Sequence, residues 1–82
     1  MIEIKFDKQK KQSIAYDNDI KVGECHFVEQ GDCWNIIHTE VNLSYQGQGI
    51  ARRLVEVIIE NARKYNKDIM SECSYAKKII DK

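Results

Sequence analysis

The chain has 82 residues, 43% hydrophobic and 32% charged, with thirteen Lys plus Arg balanced by thirteen Asp plus Glu. This length fits one hydrophobic core, and so small a domain buries only roughly 60 to 65% of its unfolded surface, which leaves room for a ligand or second copy to add stability. The balanced charge excludes the strongly basic footprint of a nucleic-acid partner, and no apolar run approaches the roughly 18 residues of a membrane span.

Ile2, Ile4 and Phe6 alternate with Glu3 and Lys5, the period-2 pattern of a half-buried strand. The amino terminus lacks a signal-peptide core, so a cytoplasmic location is expected. The basic stretch from Lys5 to Lys11 is interrupted by Asp7 and Gln9 and reads as a solvated turn. Ser13 to Tyr16 forms a second strand with Ile14 and Tyr16 on one face, and Asp17-Asn18-Asp19 turns the chain into a third strand, Ile20 to Val28. Gly23 inside that strand marks either a bulge or a weak spot. Gln30-Gly31-Asp32 is the next turn, and Trp34 to Leu43 follows as a longer strand, with Trp34 in the core.

At Ile50 the period changes to 3.6. Ile50, Leu54, Val57, Ile58, Ala62 and Tyr65 share one face, which predicts an amphipathic helix of about 16 residues. Asn66-Lys67-Asp68 closes it, Ile69 to Ser74 reads as a short strand, and Ala76 to Ile80 starts a second helix. A strand, a crossover helix and a parallel strand make a right-handed βαβ unit. The expected fold class is therefore α+β: an antiparallel meander followed by a βαβ unit with a splayed parallel strand pair, in one domain over residues 1–82.

The turn into the helix is Gln46-Gly47-Gln48-Gly49. A first helical turn has unpaired amides and about half a positive charge, yet this one carries Arg52 and Arg53 and no carboxylate before Glu56. Two cations there repel the helix end by about a few tenths of a kcal/mol each unless an anion lies between them. Gly47 and Gly49 remove Cβ atoms that would hold a phosphate away. The plainer alternative is a tight turn with both arginines in water. The spacing fits neither a P-loop nor a dinucleotide-binding GxGxxG, where Arg52 occupies the third glycine position.

Gln46 to Ala51 resembles the diphosphate-binding signature of the GNAT superfamily of N-acetyltransferases: Gln or Arg, two free positions, Gly, one free position, then Gly or Ala. Gln46, Gly49 and Ala51 stand at the three defined places. His38-Thr39-Glu40-Val41, the glycine turn and Cys73-Ser74-Tyr75 together look like the compact single-domain branch of that superfamily. Ser71-Glu72 stand where such relatives usually have a proline, and those relatives run on beyond the position of Lys82. The resemblance implies that the loop amides hold the pyrophosphate of acetyl-CoA. The implied coenzyme A contacts are Val41, Leu43, Gln46, Gly47, Gln48, Gly49, Ile50, Ala51, Arg52 and Ser74.

Acyl transfer to an amine needs a proton acceptor, a stabiliser of negative charge on oxygen and a proton for the departing thiolate. His38 and Glu40 are two apart on one strand, roughly 7 Å from each other, and strict alternation puts them on the face of Trp34 and Ile36. Either is a candidate base or a surface pair. Cys73, at the carboxyl end of the last strand, is a candidate acyl acceptor, a channel wall or a small buried side chain. Tyr75 is a candidate proton donor. The expected function is acetyl transfer to a small or peptidyl amine, directly or through Cys73, by a monomer or weak homodimer. The rival is a non-catalytic acyl-CoA sensor or interaction module. A thiol redox role is disfavoured because Cys25, Cys33 and Cys73 form no CxxC pair, and Cys25, His26, Cys33 and His38 match no zinc spacing, so no metal is expected.

Overall fold

A computed structural model describes residues 1–71 of the chain. The elements in order are β1 (Ile2–Asp7), β2 (Gln12–Asp17), β3 (Ile20–Gln30), β4 (Cys33–Val41), α1 (Ile50–Lys64) and β5 (Asp68–Ser71), with a short 3-10 turn at Leu43–Tyr45 before the helix. They build one sheet in the order β1-β2-β3-β4-β5. The first four strands are antiparallel neighbours, and β5 runs parallel to β4 from Cys33↔Asp68 to Ile36↔Ser71. This is the expected α+β meander followed by a strand, helix and parallel strand. Two of the hairpin turns use left-handed residues, Asn18 (φ 56°) and Gly31 (φ 62°), as right-twisted strands require.

α1 lies on one face of the sheet. Its Ile50, Leu54, Val55, Ile58 and Ala62 are buried with Ala15, Cys25, Phe27, Trp34 and Ile36. Trp34 is fully buried, its ring 4.3 Å from that of Phe27 and 5.9 Å from that of Phe6. Burying side chains of this size contributes about 1.5 to 3 kcal/mol each, so this layer holds the small domain together. A buried hydrogen bond from Ser13 Oγ to Leu54 O, 2.9 Å, pins the helix to β2. No helix among the described residues is long and apolar enough to cross a membrane.

Two β-bulges depart from simple alternation. On β3 the register passes from Ala15↔Gly23 to Tyr16↔Lys21, which makes Val22 the extra residue. Gly23 is thus beside the bulge, and its glycine has a packing reason. A Cβ there would stand 3.1 Å from Glu40 O and 3.2 Å from Leu54 Cδ1, so the missing side chain lets α1 approach the sheet. On β4 the register passes from Phe27↔Ile36 to His26↔His38, and Ile37 is extra.

The Ile37 bulge corrects the expected placement of His38 and Glu40. Ile36 faces α1, but beyond the bulge the inward positions are Thr39 and Val41, and His38 and Glu40 project from the opposite face. β4 also ends earlier than expected. Val41 is its last residue, and Leu43 opens the 3-10 turn, 81% exposed.

Candidate functional site

The amino end of α1 is uncapped. Gly49 at the N-cap has φ 77° and no side chain to accept from the first amides, and the first turn holds no acidic residue. The first helical bond runs from Arg53 N–H to Gly49 O at 3.1 Å, so the amides of Ile50, Ala51 and Arg52 have no carbonyl to meet within the helix. Gly47 is also left-handed, at φ 84°. A Cβ on either glycine would meet nothing within 4 Å. Positive φ, more than closeness of neighbouring protein atoms, therefore demands glycine at both places.

The start of α1, at Gly49, Ile50 and Ala51, borders a cleft of about 580 Å³ between it and the end of β4. Val41, Gln46, Gly47, Gly49, Ile50 and Ala51, six of the residues expected from sequence, line it together with Thr39 and Tyr45. Gln46 is held in place by donating from Nε2 to Val41 O at 3.3 Å. Tyr45 donates its hydroxyl to Asp17 Oδ2 at 2.7 Å, which ties the turn to the end of β2. That bond, aided by the Met1 ammonium 3.2 Å from Asp17 Oδ1, holds the Asp17 carboxyl below its ordinary pKa and raises that of Tyr45.

Three expected contacts lie elsewhere. Leu43 lines a second groove, of about 490 Å³, with Glu24 and Glu40, and Val41 and Gln46 line both spaces. Gln48 lies between the two glycines and lines neither. Arg52 also lies outside the cleft lining, with its Nε 3.4 Å from Glu56 Oε2, one helical turn on. Arg53 reaches the other way, Nη2 to Ile2 O at 3.5 Å. The arginine pair is thus not an unpartnered cationic lip, because the i,i+4 carboxylate of Glu56 faces Arg52. Cys73, Ser74 and Tyr75 fall outside the described residues.

On the open face of the sheet, His38 Nε2 lies 3.8 Å from Glu40 Oε2, and both side chains are at least half exposed. Across the β3–β4 ladder stand Glu24, opposite Glu40, and His26, opposite His38. His26 Nε2 donates to Glu24 Oε2 at 2.7 Å, and Lys21 is ion-paired with the other oxygen of Glu24. The Lys21 hydrogen bond lowers the Glu24 pKa; partial burial opposes it and His26 adds to it. Cys25 is buried on the helix side, so the combination Cys25, His26, Cys33 and His38 is divided between two faces.

Thr39, Tyr45 and Glu24 are the site residues that sequence reasoning missed. Tyr45 sits directly before the Gln46 signature. Thr39 becomes visible only once Ile37 is recognised as a bulge, and the adjacent pair Ile36-Ile37, breaking strict alternation, is the signal for it. Glu24 needs the β3–β4 register.

An uncapped helix behind two left-handed glycines, fed by a bulged strand, is the arrangement that the sequence resemblance leads one to expect. The family model for GCN5-related N-acetyl-transferase matches residues 11–82, so the chain belongs to that family. A solution structure of a GCN5-like protein from Staphylococcus aureus is 28% identical, with a TM-score of 0.73 over 96% of this chain and 78% of that one. A protein of unknown function from meticillin-resistant Staphylococcus aureus shares the fold at 16% identity, TM-score 0.73, over 99% of this chain and 86% of that one. N-acetylglutamate synthase from Neisseria gonorrhoeae, complexed with coenzyme A and N-acetyl-glutamate, shares the fold at 22% identity and TM-score 0.62. That match covers 77% of this chain and 17% of the synthase. Among curated proteins none matches the chain.

Proposed function

We propose that the cleft binds acetyl-CoA and that the protein transfers the acetyl group to a small or peptidyl amine. The observation that carries this reading is the uncapped start of α1 behind Gly47 and Gly49, opening on a cleft of about 580 Å³ in a chain of this family. The amides of residues 47–52 are suited to the diphosphate, since a helix amino end and glycine backbone favour an anion. Val41 and Thr39 form the β4 wall along which the acyl-bearing arm would lie.

The bound thioester supplies an acyl carbon activated for attack. The chain's own part is to take a proton from the incoming ammonium and to hold the amine in line with that carbon. Glu40 and His38 serve as the proton acceptor from the open face, directly or through water. Support comes from the second groove: Glu40 lines it, and Val41 and Gln46 line both it and the cofactor cleft. The acceptor thus approaches on the face opposite α1, while the cofactor lies over the helix start.

Calorimetric titration with acetyl-CoA tests the first half, with saturable heat expected from folded protein and no heat at millimolar ligand removing the claim. Acetyl transfer across a panel of amines tests the second. Turnover lowered at least tenfold in Glu40→Gln supports the base assignment; coenzyme binding without transfer to any amine selects the non-catalytic acyl-CoA module instead. Mass spectrometry after incubation with acetyl-CoA distinguishes direct transfer from a Cys73 adduct.

A further inference from the structure

The face of the sheet away from α1 sets like against like. Glu24 lies opposite Glu40, and His26 opposite His38, two ranks apart in the β3–β4 ladder and so on one face. Two carboxylates directly opposite each other destabilise a strand pair unless a cation lies near them. Lys21 is ion-paired with Glu24, and on the other side His38 Nε2 lies 3.8 Å from Glu40 Oε2. One ligand atom from each of Glu24, His38 and Glu40 lies within 4.8 Å of the others. Metal–ligand bonds of about 2.0 to 2.1 Å in a tetrahedron set a separation of about 3.3 Å, so binding requires these side chains to draw together.

We propose that Glu24, His38 and Glu40 bind one divalent transition-metal ion of the Zn²⁺ type. One imidazole and two carboxylates suit a borderline cation, whereas Ca²⁺ requires six to eight oxygens and Mg²⁺ disfavours imidazole. The three ligands stand on neighbouring strands fixed by a continuous ladder, and the Ile37 bulge brings His38 and Glu40 to the face that carries Glu24. His26 is a positioning residue: its Nε2, 2.7 Å from Glu24 Oε2, fixes the orientation of that carboxylate, as outer-shell partners of metal ligands do. The exposed side of His38 and Glu40 leaves the remaining coordination position to water. A bound ion occupies a ring-nitrogen lone pair of His38 and one carboxylate oxygen of Glu40, so metal occupancy removes His38 as a proton acceptor and weakens Glu40 in that role. The site itself rests on side-chain geometry and does not require acyl transfer.

The test is calorimetric titration of the untagged 82-residue chain with Zn²⁺, repeated with Co²⁺ under visible spectroscopy. One ion per chain is expected. Glu24→Gln, His38→Ala and Glu40→Gln should each weaken binding at least tenfold while circular dichroism shows an intact fold. His26→Ala should weaken it about tenfold, and His26→Gln, which keeps a donor for Glu24, should restore most of the loss. Absence of saturable Zn²⁺ binding overturns the proposal. So does binding that survives all three ligand variants, or a Co²⁺ complex with thiolate charge-transfer absorption, which would place the ion on cysteine.

Discussion

At the carboxyl end of α1, Lys67 N–H donates to Ala62 O at 2.7 Å and Asn66 N–H donates to Arg63 O at 3.1 Å, while Arg63 and Lys64 stand beside the negative end of the helix. Asn66 takes the left-handed conformation, φ 58°, that this closure needs. At the amino end, none of the corresponding devices is present: Gly49 caps with no side chain, no acid stands in the first turn, and among the described residues the carboxylate facing Arg52 comes from Glu56. One end satisfies its own backbone, and the other leaves amides without helical partners at the border of a cleft. The same helix therefore has a structural end and, on the proposed function, a binding end.

The largest test of this contrast removes the support common to both ends. Leu54→Ala should lower stability by about 2 to 5 kcal/mol, because Leu54 is fully buried between helix and sheet. Saturating acetyl-CoA should recover part of the lost melting temperature, since a ligand that binds only the folded state stabilises it. Failure of the ligand to shift the melting curve would remove the distinction between the ends.

Gly49→Val acts on the binding end alone. A β-branched residue at φ 77° is strained, at about 1 to 3 kcal/mol. Acetyl-CoA affinity should fall at least a hundredfold by calorimetry, with the fold retained by circular dichroism. Unchanged affinity would place the diphosphate elsewhere. Asn66→Ala acts on the structural end alone. Melting should show a loss of about 0.5 to 1 kcal/mol, and affinity for acetyl-CoA should not change.

Glu56→Gln makes a smaller change by freeing Arg52. Exposed helical pairs contribute only about 0.3 to 0.5 kcal/mol, so stability should barely move. Acetyl-CoA affinity should rise a few-fold at low salt and return to the parent value at high salt; a salt-independent result would exclude Arg52 from the anion's surroundings. The smallest effect concerns Asp17, which anchors Tyr45 in the turn before the glycines. Its folded pKa lies below the ordinary 3.8. Its contribution is therefore complete above that value and is lost as pH falls through the lower folded one. Asp17→Asn should flatten this acid limb of the stability profile, and an identical limb in both proteins would show that the bond adds nothing.

Much of the fold was readable in the chain itself. The period-2 pattern of Ile2, Ile4 and Phe6, the turns at Asn18 and Gly31 and the 3.6 period from Ile50 correspond to β1, two hairpin turns and α1. The cleft was readable because its chemistry is local: a glycine run and the first helical turn are contiguous, so six of the expected coenzyme contacts line one space. The pairing of Arg52 with Glu56 is local too, since i,i+4 residues stand one above the other on a helix.

Local periodicity and backbone preference thus determined the elements, their order and the uncapped, glycine-led start of α1. Tertiary structure decided which face each strand residue takes. A bulge depends on how many residues the neighbouring strand offers, and that count is invisible within one strand. By inserting Ile37, the β3–β4 pairing moved Thr39 and Val41 to the side of the cleft and grouped His38 and Glu40 with Glu24 on the other. One extra residue reverses every side chain beyond it because alternation along a strand has a period of two.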